Sequence, residues 1–178
     1  MRVIGGIHRG RILNRVNKET TRETADMVKV AVFNMLQLNS GVVLDLYAGA
    51  GSYGIEALSR GCDFAYFVDR DKDAIMTVKK NIDMLHLNDQ AKIYHQIDEQ
   101  FLKNLDSKIM FDTIFLDPPY DDEPYQKVIP ILYDHLNQDG YILCESKKQI
   151  QIDMDIKGLE KIKNKTYGIK RITIFQKR

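Results

Sequence analysis

The residues best suited to chemistry in this 178-residue chain are Asp117-Pro118-Pro119-Tyr120, which follow a strand-length apolar run, Phe111-Asp112-Thr113-Ile114-Phe115-Leu116. Two consecutive prolines fix φ and supply no N–H, so the loop is rigid and its carbonyls point outward, unpaired within the loop and open to a ligand's donors. An exocyclic amino group on guanine, adenine or cytosine suits such a loop. Its lone pair is delocalised into the ring, which makes it a poor nucleophile. Two acceptors, the Asp117 carboxylate and the Pro118 carbonyl, would take its two hydrogens and favour a pyramidal nitrogen aimed at an electrophilic methyl group. The rate of such an in-line displacement comes mostly from orientation and preorganised dipoles. Tyr120 would stack on the base, a contact worth about 1 to 3 kcal/mol in single-stranded recognition. The base must then leave its helix or already lie in a loop. The plainer alternative is a double-proline turn that only ends a strand.

A second cluster supplies the partner for that chemistry. Gly49, Gly51 and Gly54 have the G-x-G-x-x-G spacing, directly after the strand-like run ending at Leu46 and Tyr47 and at the opening of a helix-like one. Glycines there let the chain turn tightly and a ligand approach the backbone, while the helix N-terminus offers free N–H groups. Asp69 ends the next predicted strand, twenty positions after Gly49, where a carboxylate can accept both hydroxyls of an adenosine ribose. The spacing serves NAD or FAD as well as S-adenosylmethionine. Asp45 separates the two, because a carboxylate attracts the ammonium and sulfonium of S-adenosylmethionine and repels a pyrophosphate. Asp45 could instead cap a neighbouring loop. Asp98, just after the third predicted strand, could meet the adenine amino group or N-cap the helix it precedes.

The elements that must position these groups alternate from residue 42 onward. Strand-like runs at 42–47, 63–68, 92–95, 111–116 and 141–144 are interleaved with amphipathic stretches at 52–60, 71–87, 98–105 and 125–136. This repeated βα pattern predicts an α/β fold, a mostly parallel sheet with helices on both faces. Residues 159–166 and 170–175 flank Tyr167-Gly168 and predict a closing antiparallel hairpin, which brings the expected sheet to seven strands. Residues 2–15 read as an irregular or short-stranded basic arm, followed by a helix over about 25–38 with Thr24 as N-cap. No repeat, low-complexity segment or linker is visible, so residues 1–178 are expected to form one domain, with an arm and helix at 1–40 and a core at 41–178.

Residues 1–40 hold seven Lys and Arg against three Asp and Glu, whereas the rest holds nineteen against twenty-two, so the net charge of +1 hides a basic front. A second basic cluster, Lys161, Lys163, Lys165, Lys170, Arg171, Lys177 and Arg178, closes the chain. Either is compatible with a solvated face; together they point to a polyanionic partner. The longest apolar runs are strand-sized, far short of the roughly 18 residues of a membrane span. The start lacks the apolar stretch of about 7 to 15 residues that marks a secretory signal. A cytoplasmic location follows, with Cys62 and Cys144 as reduced thiols. No metal is called for, and a monomer is the default.

At this level of detail the chain resembles a Rossmann-like class I methyltransferase, and more narrowly the RsmD family, which methylates guanine N2 in small-subunit (16S) ribosomal RNA. The likeness spans Met1-Arg2-Val3-Ile4-Gly5-Gly6 with Arg9-Gly10-Arg11, residues 21–34 ending in Val32-Phe33-Asn34, and residues 45–54 followed by Glu56-Ala57-Leu58-Ser59-Arg60-Gly61. It continues through Phe67-Val68-Asp69, the 117–120 loop and Tyr167-Gly168. The family usually has Arg-Pro-Thr where this chain has Arg22-Glu23-Thr24, and Glu after the basic residue where it has Lys29-Val30. The resemblance implies S-adenosylmethionine held by Asp45, Gly49, Gly51, Asp69 and Asp98, with Tyr47, Ala48, Gly54 and Arg70 beside them. It further implies catalysis by Asp117, Pro118, Pro119 and Tyr120, and ribosomal RNA or the assembled small subunit held through Arg2, Arg9, Arg11 and Arg22. A DNA adenine-N6 or cytosine-N4 methyltransferase would use a related loop, but the chain is short for a separate DNA-recognition domain. An NAD-dependent oxidoreductase would explain the glycines but not the Pro-Pro-Tyr loop. A non-catalytic RNA-binding module would have no use for Asp117.

Overall fold

The computed structural model describes residues 1–16, 22–119 and 122–178, with the first turn of the first helix described by its backbone. Seven strands form one sheet. They are β1 (Val42–Leu46), β2 (Phe64–Asp69), β3 (Ala91–His95), β4 (Phe111–Leu116), β5 (Leu136–Lys147), β6 (Leu159–Tyr167) and β7 (Lys170–Lys177), in the order β3-β2-β1-β4-β5-β7-β6. β1 to β5 pair in parallel, whereas β7 runs antiparallel between β5 and β6. The expected mostly parallel sheet and closing hairpin are both present.

Side chains alternate across each strand, so the two faces build separate cores. Val43, Ala65, Phe67, Phe115, Leu143, Ile172 and Ile174 face α1 (Arg22–Leu36), α2 (Ser52–Ser59) and α3 (Lys72–Met84). Leu44, Leu46, Val68, Ile114, Leu116, Ile142, Cys144 and Phe175 face α4 (Asp98–Lys103) and α5 (Tyr125–Asp134). Cys62 and Cys144 are free and belong to different cores. α2 lies close on the sheet because Gly54 has no side chain: a Cβ there would stand 2.4 Å from Phe67 Cε1.

Three boundaries differ from expectation. α1 starts at Arg22, so Thr24 falls within its first turn and not at the position before it. α3 stops at Met84, before residue 87, and His86 turns left-handed with φ 57° ahead of a 3₁₀ turn, Asn88–Gln90. β5 begins at Leu136, not 141, because Leu136 already pairs with Phe111 before the ladder shifts register and resumes at Thr113 and Tyr141.

The basic arm is a folded-back loop, closed by an antiparallel bridge between Arg2 and Ile12 and pinned by buried Val3 and Leu13. Its backbone is held by side chains of the core. Glu56, fully buried on α2, accepts Ile4 N–H and Gly5 N–H at 2.8 Å each, and Ser59 Oγ accepts His8 N–H at 3.0 Å. Asn81 Oδ1 on α3 accepts Asn14 N–H at 2.7 Å. Two cations neutralise Glu56: Arg60 Nε at 2.9 Å and Lys29 Nζ at 3.6 Å. Arg2, Arg9, Arg11 and Arg15 stay on the surface.

Candidate active site

The ends of β1, β2 and β4 stand side by side in the sheet, so the loops that follow them open on one edge. After β1 the chain turns through Tyr47 (φ 71°), Gly49 (φ 55°) and Gly51 (φ 81°), and α2 begins at Ser52. Asp45, 2% exposed at the end of β1, accepts Gly54 N–H at 2.8 Å and so ties the first turn of α2 to the strand. Burial is the main cause that pushes its carboxyl up to about 7, with the negative Asp69 adding to it and the Gly54 N–H opposing it. The loop-capping role weighed for Asp45 is therefore filled. Of the two left-handed glycines, Gly49 leaves room, since a Cβ there would meet nothing within 4 Å. Gly51 serves packing, because its Cβ would press Ile55 and Phe67 at 3.2 Å. Ala48 is buried, and both Tyr47 and Ala48 donate N–H to the Val68 carbonyl at 3.0 Å.

A cleft of about 640 Å³ lies alongside this turn, within the size range of small-molecule sites. Leu46, Val68, Leu102, Val128 and Ile131 give it apolar walls, and Tyr47, Asp69 and Asp98 give it polar groups. Asp69 accepts Gly49 N–H and Asp71 N–H, one on each oxygen at 2.8 Å, which fixes the carboxylate at the rim. Each oxygen keeps a lone pair for a hydroxyl donor. Asp98 accepts the Tyr47 hydroxyl at 2.6 Å and Glu99 N–H at 2.9 Å. The N-cap of α4 is Ile97, so Asp98 lies inside the helix and does not cap it. Burial, then the bond to Asp98, pushes the Tyr47 hydroxyl well above its ordinary range, so it stays a donor. Arg70 at the end of β2 pairs with Asp122 at 3.2 Å across the mouth. An adenosine fits this donor and acceptor set: a fixed carboxylate for the ribose, apolar walls for the base and a second carboxylate for its amino group.

The loop after β4 closes the other side. Asp117 is half-buried, Pro118 buried and Pro119 exposed. The Pro119 carbonyl accepts Asp122 N–H at 2.9 Å, so it is not open as the double proline suggested. Tyr120 lies outside the described residues. Burial first, and then the neighbouring Glu145, hold the Asp117 carboxyl well above the usual carboxylate range. Glu145, 3% exposed on β5, accepts the Tyr53 hydroxyl at 2.8 Å and pairs with Lys170. The Tyr125 hydroxyl donates to its backbone carbonyl at 2.7 Å. None of Glu145, Lys170, Tyr53 and Tyr125 stands out in the sequence by a motif. Glu145 does carry the signal that exposes Asp45 and Asp117, an acidic residue ending an apolar strand. Lys170 was hidden within the basic tail.

The two basic clusters differ. Arg2, Arg9 and Arg11 are exposed along the arm, while Arg22 opens α1 and its side chain lies outside the described residues. The C-terminal cluster is largely engaged by the chain itself. Lys161 pairs with Asp153, Arg171 donates to the Lys148 carbonyl, Lys177 to the Tyr133 and Leu136 carbonyls, and Arg178 pairs with Glu160. Among the described residues, no helix is long and apolar enough to cross a membrane.

A family model described as conserved hypothetical protein 95 matches residues 1–176. A Bacillus subtilis protein named "Putative rRNA methyltransferase YlbH" is 39% identical over the whole of both chains. Ribosomal RNA small subunit methyltransferase D of Haemophilus influenzae is 34% identical, covering 99% of this chain and 93% of its own length. Among solved structures, a conserved hypothetical protein of Streptococcus pyogenes superposes with a TM-score of 0.77 at 33% identity, covering 83% of this chain and 94% of that one.

Proposed function

The chain belongs to the conserved hypothetical protein 95 family, the RsmD family, and from that premise we propose that it methylates the exocyclic N2 of a guanine in small-subunit (16S) ribosomal RNA, with S-adenosylmethionine as methyl donor. The observation that carries the reading is the position of Asp117. Its half-buried carboxyl opens the proline loop at the sheet edge, and the same segment after β4 supplies Asp122, Glu123 and Pro124 to the wall of a nucleoside-sized cleft. S-adenosylmethionine supplies a methyl group on a positively charged sulfur. Asp69 would hold its ribose, Asp98 its adenine amino group, and the open space over Gly49 would admit it to the backbone. Asp45, Tyr47, Ala48, Gly51 and Gly54 shape the turn, and Arg70 stands at the rim. Asp117 and the Pro118 carbonyl would accept the two hydrogens of the guanine amino group, and Tyr120 would stack on the base.

The acidic character of the site supports this cofactor over a dinucleotide. Asp69, Asp98, Glu99, Asp122 and Glu123 line the cleft with Arg70 and Lys127 as the cations, a setting that disfavours a pyrophosphate. The exposed arginines 2, 9 and 11 suit an RNA backbone, and a ribosomal substrate places the work in the cytoplasm. The test is transfer of labelled methyl to small ribosomal subunits that lack the modification, followed by nucleoside mass spectrometry. N2-methylguanosine in the RNA is the expected product. Binding of NADH with no affinity for S-adenosylhomocysteine would overturn the assignment, as would label appearing on DNA adenine or cytosine and not on RNA.

A further inference from the structure

The cluster behind Asp117 is more elaborate than amino-group orientation requires. Strand register sets Cys144 beside Leu116, and the next residues along these parallel strands are Glu145 and Asp117. Both project toward the α2 face, as Asp45 does. The two carboxyl groups are thereby neighbours on adjacent strands, and burial together with the negative charge of Glu145 holds the Asp117 carboxyl well above the usual carboxylate range. Glu145 is fixed from three further directions. Tyr53 on α2 donates to Oε2 at 2.8 Å, Lys170 on β7 pairs with Oε1, and Tyr125 on α5 donates to the backbone carbonyl at 2.7 Å. The neighbours whose charge reaches Asp117 are Glu145, Lys170 and Asp45, so three buried or half-buried carboxyl groups face one ammonium. Tyr53 and Tyr125, pushed up by burial and by these acids, stay neutral hydroxyls.

We propose that Glu145, clamped by Tyr53 and Lys170, is a positioning residue whose negative charge keeps a proton on Asp117, that this proton leaves when the cationic methyl donor binds, and that the methylated amino nitrogen replaces it. The proposal rests on the methyltransferase reading. Two carboxylates this close cannot both ionise without a compensating positive charge, and Lys170 alone compensates one. A cationic cofactor supplies the second. The balance then closes over the reaction. A nitrogen–carbon bond forms as the carbon–sulfur bond breaks, the nitrogen acquires a positive charge, and Asp117 accepts one of its protons. The sulfur is now neutral, so Asp117, facing Glu145, keeps that proton. Glu145 is thereby the group that makes Asp117 an acceptor only when the methyl donor is loaded.

The experiment is calorimetric titration of the whole protein with S-adenosylmethionine and with S-adenosylhomocysteine at pH 8, in Tris and in phosphate. The difference in heat between buffers gives the number of protons released. Asp45, pushed up to about 7, is mostly ionised at that pH, and any proton it still releases is common to wild type and variant. The wild type should release about one proton with S-adenosylmethionine and none with S-adenosylhomocysteine. Glu145→Gln should bind both and release close to none, since Asp117 no longer faces a second carboxylate. Single-turnover rates against pH give an independent readout. The acid limb should move to lower pH in Glu145→Gln and to higher pH in Lys170→Met, whereas a merely structural role would lower the rate without moving the limb. If Glu145→Gln does not fold, Lys170→Met decides by the direction of its shift. Equal proton counts in wild type and Glu145→Gln, or an unmoved limb in Lys170→Met, overturn the proposal. Binding of both ligands by the wild type with no proton release overturns it and leaves the methyltransferase reading standing. Binding of neither ligand overturns both.

Discussion

Asp45 makes a prediction about stability that needs no substrate. Its carboxyl is 2% exposed and reaches about 7 in the folded chain, against 3.8 as its ordinary value. Between those two values the folded protein holds a proton that the unfolded chain has lost. The slope of stability with pH follows protons bound unfolded minus protons bound folded, which is negative here, so stability is full below about pH 4 and is lost as pH rises toward 7. A separation of about three pH units at 1.36 kcal/mol each amounts to about 4 kcal/mol. With so little exposure there is no solvent discount to apply. Asp45→Asn removes the titration while leaving an oxygen for Gly54 N–H, and its mispaired amide costs about 1 to 3 kcal/mol at every pH. That offset drops out if only the shape of the difference is read. Urea unfolding of the apo wild type and variant, at half-unit steps from pH 4 to 8.5, should give a wild-type-minus-variant stability that declines by about 4 kcal/mol and levels off above pH 7. A difference curve flat to within about 1 kcal/mol would mean that Asp45 is already ionised in the folded protein at acid pH, and the reasoning from its burial to its proton would fall.

The other expectations concern binding and rate. Asp117→Ala should abolish most methyl transfer in single-turnover assays at saturating S-adenosylmethionine, while affinity for the neutral S-adenosylhomocysteine by calorimetry stays near wild type. Near-wild-type turnover would remove the loop from the mechanism. Asp69→Ala should weaken S-adenosylmethionine by roughly ten- to a hundredfold, the loss of a charged hydrogen bond of about 1.5 to 3 kcal/mol, and release Gly49 N–H as well; unchanged affinity would move the ribose elsewhere. Arg9→Glu with Arg11→Glu should leave thermal stability unchanged, because both side chains are exposed, and flatten the salt dependence of RNA binding by about one log–log unit per lost phosphate contact. An unaltered slope would make the arm a packing element only.

Much of the fold was legible because a parallel sheet demands apolar runs of one strand's length, and three of the runs here carry an acidic residue at or next to their ends: Asp45, Asp69 and Asp117. The glycine spacing located the turn but not the division of labour within it. Which glycine faces open space depends on where Phe67 and Ile55 sit, and that is decided by strand pairing four or more positions away. Glu145 and Lys170 were harder to see, because they lie twenty-five residues apart in sequence and meet through β7 entering the sheet between β5 and β6.

The arm shows a different kind of illegibility. Residues 53–59 of α2 are all buried, Glu56 and Ser59 included, which no amphipathic pattern in eight residues predicts. The reason is that the arm covers the helix's outer face and uses those polar side chains to satisfy its own backbone N–H groups. A loop without regular structure must find acceptors somewhere, and buried carboxylates and hydroxyls are the ones α2 offers. The same logic extends to α3. Asn81, fully buried, takes Asn14 N–H on one side and donates to the Ala50 carbonyl of the glycine turn at 3.0 Å on the other. Removing the arm would strip two donors from Glu56, leave it Arg60 and Lys29 among the described residues, and loosen the residue that steadies the turn. Deletion of residues 1–15 therefore perturbs the cofactor turn along with any RNA contact, and surface charge reversal at Arg9 and Arg11 separates the two effects where deletion does not.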